Sequence, residues 1–310
     1  MAGVHRRTPV LVALLLAALT ACSSTATPPP VAAPASASPS APSAAPSSAG
    51  PAAPVGRAPQ RQFPIETRKL SFDRGADRPL PTTVWYPADG DGPFPLILFS
   101  HGLTSEPSAY ATVLRAWAKA GFVVAAPAYP YTSYGVKKLD PLDIVNQPTD
   151  ATEVITRMLA LNDEAGDPLE GRIDTARIAA AGHSAGGMTT VGMFSTTRDD
   201  RLTAGIVLSG RKLLPVPFTG APAPILFVHG KLDRTVRYAE GLAAFEAVPW
   251  PKAMMAVTKG GHVALTKDFG PVIATTTDFL RYALYGDPGA RDRLAADATK
   301  GGRATLIDDL

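Results

Sequence analysis

The chain has 310 residues, of which 45% are hydrophobic and 18% charged, an ordinary composition for a soluble protein with one large domain or two small ones. Its formal net charge is +3, and two positive charges, Arg6 and Arg7, lie in a segment that we expect to be removed. No long run of Lys or Arg follows, so the sequence excludes nucleic acid as an expected partner.

Residues 1–21 have the pattern of an export signal. A basic stretch, "MAGVHRR", precedes an apolar core, "PVLVALLLAAL", which is shorter than the about 20 residues that span a bilayer. The following "LTAC" resembles the lipobox of bacterial lipoproteins, which implies that Cys22 is the first mature residue and carries lipid. The resemblance predicts an exported protein anchored to the outer face of the bacterial cell membrane. Ordinary cleavage near "TAC", with an incidental cysteine, is the alternative.

Residues 22–60 form a tract of Pro, Ala and Ser with almost no large apolar side chains. Such a segment cannot bury enough surface to offset its ordering entropy, and we expect it to be disordered. Proline-rich linkers extend by about 3.1 Å per residue, which gives a maximum reach on the order of 100 Å. The sequence therefore predicts a linker between the membrane and a folded domain.

Strands and helices alternate from residue 61 to residue 286. Eight apolar or alternating stretches predict strands: 67–72, 82–87, 94–100, 122–127, 177–182, 204–210, 223–230 and 253–258. Apolar stripes at helical spacing lie between them, and "PVIATTTDFLRYAL" forms the closing helix. The alternation predicts one α/β domain with a mostly parallel eight-stranded sheet and helices on both faces. Residues 287–310 are interpreted as a polar tail.

The stretch "AAAGHSAGGMT" carries the clearest chemical signal. It fits G-x-S-x-G between a predicted strand and a predicted helix, with Ser184 at the centre. In this context the motif predicts a sharp turn that exposes Ser184 as a nucleophile, whereas a flexible glycine loop is the other interpretation.

A serine nucleophile needs a base, and the chain has five histidines. His5 lies in the signal, His101 and His229 end strands, and His183 stands beside Ser184 and should point away from it. His262 remains, in the glycine-flanked loop "KGGHVAL" after the last predicted strand. We expect His262 to be the base, and a surface or capping histidine is the alternative.

The base needs a carboxylate, and Asp233 is the first acid after Arg201. It follows a buried strand, although a turn or helix-cap role would also explain it. The order Ser184, Asp233, His262 matches this fold. The N–H of Ala185 and the N–H of Leu103, which follows "HG" at a strand end, are the expected oxyanion donors, and a plain turn is the alternative for "HG".

From about Phe63 to Tyr285 the chain resembles the α/β-hydrolase superfamily. It is most similar to bacterial relatives of chlorophyllase, platelet-activating-factor acetylhydrolase and dienelactone-hydrolase-like esterases, with cutinase-like polyester hydrolases nearby. The matching stretches are "SHGLTS", "NQPTDATEVI", "GHSAGG", "HGKLDRTV" and "GGHVAL". The resemblance implies an α/β-hydrolase fold and a Ser/His/Asp hydrolase that uses an acyl-enzyme.

The chain departs from two of these relatives. Leu103 stands where polyester hydrolases carry an aromatic residue, and "LSGRKL" stands where they carry a tryptophan. Dienelactone hydrolases use a cysteine where this chain has Ser184. The substrate therefore stays open at this point.

Only Arg211 to Pro222 separate the sixth and seventh predicted strands, which leaves no room for a cap domain. Tyr129, Tyr131 and Tyr134 either line the substrate cleft or pack inside the protein. Lys137 and Lys138 are expected to be solvated.

The sequence predicts a carboxylic ester hydrolase for small ester or lipid-like substrates, without metal or cofactor, since His101 and His183 lack zinc-ligand spacing. A peptidase or an acyltransferase on the same scaffold is one alternative. A non-catalytic binding lipoprotein of the cell envelope is the other.

Overall fold

The computed structural model describes residues 58–90, 92–262 and 270–310. The export signal, Cys22 and nearly all of the predicted linker lie outside the described residues. Among the helices that are described, none is long and apolar enough to cross a membrane.

A nine-stranded sheet forms the centre of the described chain, with strand order β1-β2-β4-β3-β5-β6-β7-β8-β9. Six neighbouring strands, from β4 to β8, run parallel, and β1, β2 and β9 pair antiparallel at the two edges. The strands are β1 Ile65–Asp73, β2 Pro79–Pro87, β3 Phe94–Ser100, β4 Val123–Pro127, β5 Ile173–His183, β6 Leu202–Leu208, β7 Ile225–Gly230, β8 Lys252–Val257 and β9 Ala304–Asp309.

Helices cover both faces of this sheet. The α-helices are α1 Ala111–Lys119, α2 Gln147–Asn162, α3 Ala185–Met193, α4 Tyr238–Glu246, α5 Gly270–Tyr285 and α6 Pro288–Thr299. Short 3-10 helices span Pro107–Tyr110, Pro141–Asn146 and Lys300–Gly302. The architecture confirms the predicted α/β class with a mostly parallel sheet.

Alternate side chains of the central strands enter two separate apolar clusters. In β3, Leu96 and Leu98 pack with α2 and α4 on one face, whereas Ile97 and Phe99 pack with α1 and α5 on the other. A strand buried on both faces is continuously apolar, which is why "FPLILFS" is identifiable in the sequence. Both clusters lie within residues 58–310, so this part of the chain carries its own core.

The C-terminal segment differs from the prediction. Residues 287–310, interpreted as a polar tail, form α6 and β9, and the sheet has nine strands instead of eight. In α6, Ala290, Leu294 and Ala298 recur every four residues and are buried, and β9 pairs with β8 along its whole length. Small alanines among many charges hide this stripe, because the segment as a whole reads as polar.

The loop from residue 209 to residue 224, between β6 and β7, is fully described and contains no helix. The expected lack of a cap between these strands therefore holds in the structure.

Candidate active site

The turn after β5 holds Ser184 in a conformation that few residues adopt. Ser184 has φ 58° and ψ −117°, and it directly precedes α3. Its N–H donates to the Leu208 carbonyl at 2.9 Å, which ties the turn to the neighbouring strand β6. Strained backbone of this kind persists only where the surroundings impose it, and it is typical of functional turns.

Two glycines make this turn sterically feasible. A Cβ on Gly182 would collide with the Gly186 backbone, and a Cβ on Gly186 would collide with the Ser100 carbonyl. The G-x-S-x-G pattern is therefore a packing requirement where β5, α3 and β3 meet. The sharp strand-to-helix turn is observed, and the flexible glycine loop is not.

The structure brings Ser184, His262 and Asp233 together in one hydrogen-bonded chain. The Ser184 Oγ lies 2.8 Å from His262 Nε2, and His262 Nδ1 lies 2.8 Å from Asp233 Oδ2. Because Nδ1–H donates to the carboxylate, Nε2 is the free acceptor for the serine proton. In this arrangement the imidazole can remove that proton while the carboxylate stabilises the resulting cation.

The Asp233 carboxylate is buried, and it accepts several hydrogen bonds. Its Oδ1 accepts from the N–H groups of Thr235 and Val236 at 2.8 and 3.0 Å, so it also caps the following turn. Burial alone would raise its pKa, but hydrogen bonds from His229, His262 and Thr235 hold the Asp233 pKa well below its usual value. Asp233 therefore both contacts the His262 ring and caps the following turn.

A second hydrogen-bonded chain crosses the site behind Ser184. The Gly102 N–H donates to Tyr110 Oη at 3.1 Å, and Tyr110 Oη–H donates to His183 Nδ1 at 2.9 Å. His183 Nε2–H then donates to the His262 carbonyl at 2.8 Å. Burial lowers the pKa of His183 to about 4, so the ring stays neutral and keeps this pattern. His183 therefore holds the backbone of His262.

No local pattern in the sequence indicates that His183 holds the backbone of His262. The two partners of the Tyr110 hydroxyl, Gly102 and His183, come from two segments that are distant in the sequence. Only the three-dimensional arrangement of the loops reveals the link.

The loop after β3 lies beside Ser184 and presents the second expected oxyanion donor. Neither the Leu103 N–H nor the Ala185 N–H has a hydrogen-bond acceptor among the described residues. Thr104 has φ 58°, and its N–H donates to the Thr132 carbonyl at 2.7 Å. Two amides without an internal partner, on the two loops that flank a serine hydroxyl, are suited to bind an oxyanion.

The loop from residue 128 to residue 146, after β4, is anchored by buried charges. Arg78 donates to Asp143 at 2.8 Å and also to Asp150, whose carboxylate is completely buried. Hydrogen bonds from Arg78 to Asp150 and Asp143 raise the pKa of Arg78 above its ordinary value. Breaking such a pair by removing one partner is costly, so the cluster holds in place the loop that supports Thr104.

The three tyrosines of this loop have different environments. Tyr129 is fully buried and its hydroxyl bonds Ser100 Oγ at 2.7 Å, so it packs inside the protein and does not line a cleft. Tyr131 is half-buried, with its ring 5.4 Å from the Arg78 guanidinium. Tyr134 is exposed, and Lys137 and Lys138 are exposed as expected.

The other two histidines have structural positions. His101 Nε2 accepts from the Tyr129 N–H at 3.2 Å, and burial lowers the pKa of His101 to about 4. His229 Nε2–H donates to the Val236 carbonyl at 2.9 Å and lies 3.5 Å from Asp233 Oδ2. His229 thus supports the acid, a role that its place at a strand end did not indicate.

Comparison with known proteins agrees with this architecture. Residues 53–206 match the model of a family described as Chlorophyllase, which is an α/β-hydrolase-like family. No curated protein matches the chain. Over residues 53–206 the chain is similar to the Chlorophyllase family, and this match together with the mostly parallel sheet supports, in general terms, an ester hydrolase of the α/β-hydrolase type.

Proposed function

We propose that this protein hydrolyses carboxylic esters through an acyl-enzyme on Ser184, with His262 as the base and Asp233 as its partner. The observation that carries the proposal is the chain of two 2.8 Å contacts from Ser184 Oγ through the His262 ring to Asp233. The family match supports ester hydrolysis in general, and the nucleophile, its partners and the substrate are the proposed part.

In the first half of the reaction, Ser184 Oγ attacks the ester carbonyl carbon while His262 Nε2 takes the hydroxyl proton. The negative charge on the carbonyl oxygen is stabilised by the N–H groups of Leu103 and Ala185. The C–O bond to the alcohol then breaks, and His262 returns the proton to the departing alcohol. Water repeats these steps on the acyl-enzyme and releases the acid.

A panel of substrates tests this proposal. The panel contains p-nitrophenyl esters of graded acyl length, a lactone, an anilide and an added alcohol as acyl acceptor. We expect ester turnover to dominate and to be lost in Ser184→Ala. Dominant anilide cleavage would indicate a peptidase, and dominant transfer to the alcohol would indicate an acyltransferase. Retention of most ester turnover by Ser184→Ala would contradict the proposal.

We also propose that the protein is exported and lipid-anchored through Cys22, so that the hydrolase domain acts outside the cell membrane. Support comes from the sequence "LTAC" after an apolar core. In the native host, Cys22→Ser is expected to move the protein from the membrane fraction to the soluble exported fraction. An unchanged membrane fraction would contradict lipid anchoring at this residue.

A further inference from the structure

Exposed apolar side chains concentrate around the candidate active site. Among the described residues, seven large hydrophobic side chains are exposed, and six of them lie in the loops that follow β4, β6 and β7. The six are Tyr134, Leu139, Leu142, Val145, Leu214 and Leu232. The seventh, Ile307, is on β9, and the described loops at the opposite edge of the sheet carry none.

The loops that carry these side chains contact three segments around Ser184. On the oxyanion side, the Tyr134 N–H donates to the Ser105 carbonyl at 2.8 Å. On the base side, Leu232 precedes Asp233, and its N–H donates to the Gly260 carbonyl at 2.9 Å. On the third side, beside α3, a different pair of residues borders the site.

Val145 and Leu214 line a shared cleft with Met188, which lies one helical turn after Ser184. The Met188 N–H donates to the Ser184 carbonyl at 3.0 Å, so this cleft begins next to the nucleophile turn. The loops after β4 and β6 therefore meet beside the site, each with an exposed apolar side chain.

The loops after β4, β7 and β8, at the same edge of the sheet, carry an excess of positive charge. Five cationic side chains in them are exposed and form no salt bridge with any described residue: Lys137, Lys138, Lys231, Arg234 and Lys259. In the described part of the loops after β3, β4, β6, β7 and β8, the carboxylates with access to solvent are Glu106 and Asp140, and Asp140 is occupied as the cap of a 3-10 helix. We call the six apolar and five cationic side chains the apolar–basic rim.

We propose that the apolar–basic rim docks onto an anionic lipid surface, so that ester substrates reach Ser184 directly from that surface. Apolar side chains that enter the acyl boundary, together with cations that meet anionic headgroups, are the two terms that determine binding at a lipid interface. This docking proposal rests on the proposed function in one respect, which is that Ser184 is the residue that attacks the ester.

The composition of the rim favours a lipid surface over a protein partner. Four of its five cations are lysines, and lysine is depleted in protein–protein interfaces. The apolar side chains come from three loops, those after β4, β6 and β7. A lipid layer can accommodate such separate side chains, because it deforms around each of them.

Vesicle sedimentation tests the docking independently of catalysis. The protein is the chain from residue 23 onward, which keeps the core of residues 58–310 and lacks both the export signal and Cys22. It carries Ser184→Ala throughout, and the vesicles are phosphatidylcholine with or without about one third phosphatidylglycerol. We expect binding to the anionic vesicles and at least about tenfold weaker binding to phosphatidylcholine alone.

Two rim variants and one matched control sharpen this test. Leu139→Gln/Leu142→Gln and Lys231→Glu/Lys259→Glu are each expected to weaken binding to anionic vesicles by about tenfold or more. Ile307→Gln removes an exposed apolar side chain from β9, outside the rim, and should bind like the parent. Equal binding by all four proteins, or no vesicle binding by the parent, would overturn the docking proposal.

The effect of docking on catalysis is measured in proteins that carry Ser184 in place of the Ser184→Ala substitution. Leu139→Gln/Leu142→Gln should keep its turnover of a water-soluble p-nitrophenyl ester and lose about tenfold on the same acyl group presented in anionic vesicles. An equal loss on both presentations would contradict docking as the cause. If Ser184 proves unreactive, the proposed function fails, whereas the sedimentation results remain interpretable.

Discussion

The two halves of the candidate site are identifiable from the sequence by different features. Residues 53–206, which match the Chlorophyllase family, contain the loop after β3 and the Ser184 turn. Asp233 and His262 lie beyond the match, after β7 and β8. The first half is identifiable from a local motif, whereas the second is identifiable only from where the parallel strands end. The comparison shows that sheet topology brings together residues that no single motif contains.

Changes at His262 test this comparison most strongly. If the unmatched half supplies the base, His262→Ala should lower kcat for a soluble ester by about 10⁴-fold or more, because the Ser184 proton then has no acceptor. Lys259→Ala, in the same loop, is the matched control and should leave kcat unchanged. A His262→Ala protein with normal kcat would restrict the chemistry to the matched half.

The acid in the unmatched half should have a slightly smaller effect. Asp233→Asn keeps the size of the side chain but removes the charge that stabilises the imidazolium, and we expect kcat to fall by about 10³- to 10⁴-fold. Steady-state kinetics with a thermal unfolding control measure this. A loss of stability with unchanged kcat would mean that Asp233 is only a turn cap.

An amide-to-ester exchange at Leu103 tests the matched half without changing a side chain. Removing the Leu103 N–H should lower kcat by about 10²- to 10³-fold, since one oxyanion donor is lost. The same exchange at Leu139, whose N–H also has no acceptor among the described residues, is the control. Equal rates for the two exchanged proteins would exclude Leu103 as a donor.

His183 links the two halves of the site, and loss of its hydrogen bond to the His262 carbonyl should have a moderate effect on kcat. His183→Leu removes the donor to the His262 carbonyl, and a misplaced base should lower kcat by about 10- to 100-fold with little change in KM. His183→Gln can donate to the same carbonyl and accept from Tyr110, so it should restore most of kcat. If the two variants have the same kcat and differ only in unfolding temperature, His183 is merely structural.

The smallest expected effect is a pH dependence of stability. His101 and His183 have pKa values lowered to about 4 by burial, so the unfolded state binds more protons than the folded state between pH of about 6.5 and about 4. The free energy of unfolding should therefore fall as the pH falls through this window, by up to about 3 kcal/mol per histidine. Denaturant unfolding of His183→Gln should show a shallower decrease. A pH-independent free energy would contradict two neutral buried rings.

The sequence was sufficient for much of the fold and for the three residues of the main hydrogen-bonded chain. Buried parallel strands are continuously apolar, and the ends of parallel strands share one edge, so Ser184, Asp233 and His262 could be placed together. The segment 287–310 was missed because its buried stripe consists mainly of alanine. The roles of Tyr110, His183 and Arg78 were missed because their partners lie in distant segments.

Mass spectrometry of the trapped acyl-enzyme tests the central claim most directly. The protein is mixed with a p-nitrophenyl ester, quenched in acid within one turnover and digested. We predict one acyl group on the peptide that contains Ser184, together with a burst of p-nitrophenol equal to the enzyme concentration. An active protein that shows no burst and carries no acyl group on Ser184 would contradict the account.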